Sequence, residues 1–153
     1  AEGWAEYRWL VEADAADEMD QRVKQRLLAA SQMSSEKVIS LYRQRAALMQ
    51  AITYELEGAL LVLPTVGHVA PPLAPLEADP AYFAEVNLKT LRLTMVGSFL
   101  DMPTLALPTG RNSENQFTSL QVGAPQGDDE RLAAAALTLS QQLGLEAAFD
   151  ATA

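Results

Sequence analysis

The chain has 153 residues, 49% of them hydrophobic and 20% charged, with a formal net charge of −9. That length suits one domain that removes roughly 68–70% of its unfolded surface from water. The acidic balance argues against nucleic acid and anionic membranes as partners. No apolar run approaches the roughly 20 residues of a membrane span, and no signal peptide is visible, so a cytoplasmic location is expected. With no cysteine and one histidine, disulfides and thiolate metal sites are excluded and zinc is disfavoured. The reading implies neither metal nor cofactor.

Residues 1–58 read as helical. Trp4, Tyr7, Leu10 or Val11, and Ala15 recur at helical spacing. Met19, Val23, Leu27 and Leu28 continue the pattern past the acidic Asp14, Asp17, Glu18 and Asp20. After a break at 31–33, Ser34 is the expected N-cap of a longer helix, because its hydroxyl can accept a free backbone N–H. Val38, Leu41, Tyr42, Leu48, Met49, Ile52 and Leu56 form its apolar face, and Gly58 ends it.

Residues 59–153 read as mixed α/β. The run 60–63, bounded by glycine and proline, fits a buried strand. Prolines 64, 71, 72, 75 and 80 predict a long irregular loop, with Pro80 opening a helical turn capped by Asp79. A helix is expected over 87–99, a second buried strand over 104–107, a polar turn over 110–116 and a third strand over 117–122. Asp128, Asp129 and Glu130 open a last helix with Leu132, Ala136, Leu139 and Leu143 as its inner stripe and Gly144 as its stop. The expectation is a single domain over 1–153, with helices on a short mixed sheet.

The order of these segments resembles the amidase signature family, whose members hydrolyse C–N bonds with a Ser–(cis)Ser–Lys triad. Residues 20–27 (DQRVKQRL) are similar to a family helix that begins Asp-Pro-Arg-Val. Tyr42, Arg45 and Leu48 lie in a stretch similar to the helix before the D-x-L-x-x-P-T strand, which residues 61–65 (LVLPT) match in part. Asn87, Arg92, Phe99, Leu100, Asp101 and the segment Pro103 to Gly110 resemble the following N…R…P-x-G segment. Residues 120–123 and 127–132 resemble the closing strand and helix. There are departures. The acidic residue usual before the first strand is replaced near Gly58, Ser98 stands where many members have the Asn of Asn-x-x-Gly, and Asn115-Gln116-Phe117 replaces a Gly-Leu-Pro.

The resemblance implies the C-terminal part of an amidase-signature fold acting on a small-molecule amide. Thr65 and His68 would then line the substrate pocket, because family members place the end of that strand near the active-site cleft, and Phe99, in the N…R…P-x-G segment, is expected there with them. It assigns no catalytic residue to this chain. The family's Gly-Gly-Ser-Ser-Gly-Gly-Ser type stretch, which holds an oxyanion on backbone N–H groups, is not among these residues. The adjacent pair Ser34-Ser35, followed by Lys37, has no glycine to supply such donors and reads as a helix cap. Lys24 and Lys89 read as helix-surface residues. The opening Ala1-Glu2-Gly3-Trp4 is already helical in pattern, as expected of a fragment or a processed product. Its partner is expected to be the remainder of the amidase domain or a second copy of the chain. The competing expectation is a non-catalytic α/β module that binds a partner through an exposed sheet edge or the aromatic N-terminal helix of Trp4, Tyr7 and Trp9.

Overall fold

The computed structural model describes residues 1–13 and 18–145. It divides into two compact units, Ala1–Arg45 and Ala46–Ala153, and the division falls inside one long helix. Ala15, read above as part of the first helical pattern, and the acidic Asp14 and Asp17 lie outside the described residues.

The first unit is helical. Helix α1 (Glu2–Glu12) packs on α2 (Gln21–Ser31), and a Cβ added at Gly3 would come within 3.4 Å of Leu27 Cδ2. Asp20 caps α2 by accepting the Arg22 N–H at 2.8 Å, and its carboxylate also takes the Arg22 guanidinium. Helix α3 (Ser35–Leu56) starts as expected, with the Ser34 hydroxyl accepting the Lys37 N–H at 3.2 Å. The Tyr42 hydroxyl donates to the Glu2 carboxylate and so ties α1 to α3. None of these helices carries a fully buried side chain. Tyr42 and Leu48, placed on the apolar face above, are about half exposed, at 47% and 50%.

The second unit is built on a three-stranded sheet in the order β1-β3-β2, with β1 Leu61–Pro64, β2 Thr104–Arg111 and β3 Phe117–Gly123. Both pairings are antiparallel, so the sheet is not mixed. The reason is local. A short turn joins β2 to β3, which forces them antiparallel, and β1 adds to the free side of β3. Strands β1 and β2 are edges and not buried strands: Val62 is 49% and Leu105 40% exposed. Only the central strand is enclosed, at Gln121, Val122 and Gly123.

Register assigns the faces, because directly opposed residues share one. Val122 lies opposite Val62 and Leu105, and Leu120 opposite Pro64 and Leu107. Helix α7 (Asp129–Gln142) covers this face: Val122, Ala124 and Leu132 form its core, with Leu60, Leu107 and Leu139 packed around them. Leu143, expected on the inner stripe, is the C-cap of α7 and is 56% exposed. On the opposite face lie Gly123, Gln121 and Thr104. Helix α6 (Thr94–Phe99) approaches here through Gly97, where a Cβ would come within 3.0 Å of Thr104 Cγ2.

The same register explains the edge prolines. The Thr65 N–H donates to Ser119 O at 3.2 Å and the Ala124 N–H to Pro103 O at 3.2 Å. Alternation from these pairs turns the backbone groups of Val62 and Pro64, and of Thr104, Ala106 and Pro108, away from β3. Each proline therefore stands where the N–H it lacks would point outward, and no ladder bond is lost.

Between β1 and β2 run two further helices. Helix α4 (Leu73–Ala78) forms inside the segment expected to be irregular. Pro75 is its third residue, and the first four N–H groups of a helix have no partner within it, so the proline removes no bond. Helix α5 (Pro80–Leu91) begins at Pro80, with Asp79 Oδ1 accepting the N–H of Ala81 at 2.8 Å and of Tyr82 at 3.2 Å. The helix expected over 87–99 is thus two helices that break at Arg92-Leu93. The Thr94 hydroxyl donates to Leu91 O at 3.1 Å, competing for a carbonyl at that break.

Candidate functional site

The loop after β1 carries His68, and its hydrogen bonds fix the ring. Nδ1 lies 2.7 Å from Val69 O and Nε2 lies 2.8 Å from Thr90 Oγ1 on α5. A carbonyl only accepts, so Nδ1 bears the proton. The Thr90 hydroxyl is also 2.9 Å from Val86 O and bonds either to that carbonyl or to Nε2. The Nδ1 bond fixes the ring on its own loop, and the Nε2 contact with Thr90 sets that loop against α5.

A second tether closes the loop from the β2–β3 turn. Asn112 and Gln116 close a three-residue connection, with the Asn112 N–H donating to Gln116 O at 2.9 Å and the Asn115 N–H to Asn112 O at 3.0 Å. Asn115 has φ 62°, the left-handed residue that such a hairpin requires and that asparagine tolerates. Asn112 Oδ1 accepts the N–H groups of Glu114 at 3.0 Å and Gln116 at 2.9 Å. The Gln116 side chain then receives Asn112 Nδ2 at 3.2 Å and donates Nε2–H to Ala70 O at 3.1 Å. At the turn's base the Arg111 guanidinium lies 3.7 Å over the Phe117 ring, a cation–π contact, and donates to Asn115 O.

These tethers frame an open cleft of about 610 Å³. His68, Val69, Ala70, Pro71 and Pro72 line one part of it, Tyr82, Val86 and Lys89 of α5 another, and Glu114 and Gln116 of the turn a third. Lys89 Nζ lies 2.7 Å from Glu85 Oε1, and that bond raises its pKa. Lys89 therefore stays protonated, the opposite of what a neutral lysine base needs.

Of the three residues expected to meet a substrate, only His68 lines this cleft. Thr65 continues the β1–β3 ladder, and its hydroxyl accepts that of Ser119 at 2.8 Å. Phe99 ends α6, is 41% exposed and is not among the residues lining the His68 cleft. Sequence reasoning missed Tyr82, Thr90, Glu114 and Gln116. The available signal was the density of hydrogen-bonding side chains in the polar turn over 110–116.

Other clefts are present among the described residues of this unit. One of about 590 Å³ is lined by Met49, Ile52, Tyr54 and Leu100 among others, and one of about 330 Å³ by Gly97, Ser98 and Asp101 among others. In the smaller one, Asp101 Oδ2 accepts Gln126 Nε2 at 2.7 Å. Among the described residues, no group of three or more histidine, aspartate or glutamate side chains is placed to hold a metal ion. No described helix is long and apolar enough to cross a membrane. No family model matches the chain, and no curated protein or solved structure matches it.

Proposed function

We propose that the second unit is the substrate-pocket wall of an amidase, a hydrolase of carboxylic amide C–N bonds whose Ser-Ser-Lys triad is supplied from outside these residues. The observation that carries this reading is the cleft that opens three residues beyond the Pro64-Thr65 end of β1, with His68 in its lining. That is where the resemblance places substrate. The chain's own chemistry agrees: Ser34 is engaged as a helix cap, and Lys89 is held as a cation by Glu85. The proposed role is to bind and orient the amide, not to attack it. The test is to express the complete reading frame that encodes these residues and compare it with this polypeptide in a benzamide hydrolysis assay. The expected result is turnover and serine labelling by an organophosphonate only in the larger protein. Turnover by the 153-residue polypeptide alone, or a reading frame without a glycine-serine motif, would overturn the proposal.

A second reading is favoured by the sheet edges. Val62 on β1, and Thr104 and Ala106 on β2, turn complete N–H and C=O pairs outward, and no further described strand meets them. Such edges recruit strands from other chains. In this reading the module is non-catalytic and its partner pairs along β2, ahead of Pro108. Ala106→Pro removes one outward donor and leaves the ladder to β3 intact. Light scattering after size exclusion should then show an assembly of the natural chain lost in the variant. Identical masses for both would count against edge pairing.

A further inference from the structure

We propose that the His68 cleft receives an organic ammonium ion, with Glu114 as its counter-charge and Tyr82 and the Pro71-Pro72 loop against its apolar body. Two charged side chains line the cleft, Lys89 and Glu114. Lys89 contributes the cation, and that charge is already neutralised by Glu85 at 2.7 Å. Glu114 contributes the anion, and its carboxylate takes no hydrogen bond or ion pair among the described residues. The cleft therefore has an unspent negative charge. The His68 imidazole cannot meet it as a free donor, because its nitrogens are engaged by Val69 O and Thr90 Oγ1.

The backbone that carries the exposed Glu114 side chain is ordered by the turn. Asn112 Oδ1 fixes the N–H groups of Glu114 and Gln116, and Gln116 fixes the opposite loop through Ala70 O. A turn ordered before binding loses less freedom when a ligand arrives. Around it, Tyr82 is 39% exposed and can present its π face to a cation, while Val69, Pro71, Pro72 and Val86 offer apolar surface. A carboxylate, an aromatic face and an apolar floor together suit a primary ammonium group on a hydrophobic body. They do not suit an anion, which would meet Glu114 directly.

This deepens the amidase reading and rests on it in one respect: the substrate would be an amide that also carries an ammonium group. The binding itself is independent of turnover, so the two can fail separately. The probe is benzylamine at pH 7, with benzyl alcohol as a neutral molecule of matching shape, titrated into the ¹⁵N-labelled protein. Benzylamine should shift the backbone amides of Val69, Ala70, Glu114 and Gln116 and bind roughly tenfold more tightly than the alcohol, as one charge-assisted contact allows. Glu114→Gln should remove that preference and leave the alcohol's affinity unchanged, and Tyr82→Leu should weaken both. Equal affinities of the two probes, shifts confined to other surfaces, or an undiminished preference in Glu114→Gln would overturn the proposal. Failure of the larger protein to hydrolyse both benzamide and 4-(aminomethyl)benzamide, with benzylamine still bound here, would reject the amidase reading and leave the ammonium site standing.

Discussion

The α7 face of the sheet and the His68 cleft belong to one unit but are held by different forces. Under α7, Val122, Ala124, Leu132 and Ala136 are at most 3% exposed, and the contacts are apolar. At the cleft no lining residue is fully buried apart from solvent, and the walls are joined by His68–Thr90, Gln116–Ala70 and Asn112–Gln116 hydrogen bonds. Burial is strong and indifferent to direction, whereas hydrogen bonds exchanged with water add little net stability but specify geometry. The first region should carry the stability of the unit, and the second should carry its recognition.

The largest effect should come from Leu132→Ala, which empties a site 2% exposed and should cost about 3 kcal/mol, within the usual range of such truncations. Urea unfolding followed by circular dichroism reads it. Tryptophan fluorescence would not, since Trp4 and Trp9 both lie in the first unit. A cost below about 1 kcal/mol would mean that the α7 face is not the dominant core. Asp79→Ala should be milder, about 1 kcal/mol, because it removes the cap of α5. Gln116→Ala should cost still less, about 0.5 kcal/mol for half-exposed hydrogen bonds. Yet it should change amide exchange in the loop of Val69 and Ala70 more than either of the others. If exchange there stays unchanged, the tether to Ala70 O does not order the cleft.

The smallest effect is electrostatic and lies in the first unit. Hydrogen bonds from Arg22 hold the Asp20 carboxyl well below its ordinary value of 3.8. A depressed carboxyl contributes stability above its unfolded value, and that contribution fades as pH falls through the folded one. The start of α2 should therefore loosen below about pH 4, seen as moving Arg22 and Val23 amide signals, while the α7 face stays unchanged. Asp20→Asn should abolish that pH dependence. The pair is exposed to solvent, so salt should weaken it further.

The features legible in the sequence were those fixed by near neighbours. Leu132, Ala136 and Leu139 recur at helical spacing behind an acidic first turn, and on α7 the first two are buried and the third packs partly buried against the core. Ser34 and Asp79 were readable as caps because capping spans only three residues. The edge status of β1 and β2 was not readable, since their apolar composition is equally that of central strands and only non-local pairing decides. Helix α4 was hidden by Pro75, whose cost depends on its position in the first turn. At the cleft, His68 stood out as the sole histidine. Its partners did not, because Thr90 lies 22 positions away and the Gln116–Ala70 contact spans 46. Thr65 and Phe99 came from the resemblance alone, and neither is among the residues that line the His68 cleft.

The most direct test of the central claim is a titration of the neutral amide benzamide into the ¹⁵N-labelled protein, with the His68→Ala variant in parallel. The pocket-wall account expects amide shifts concentrated at Val69, Ala70 and Gln116, weakened in the variant, with no benzamide consumed. Benzamide shifts absent from this cleft, or hydrolysis by the chain itself, would contradict it.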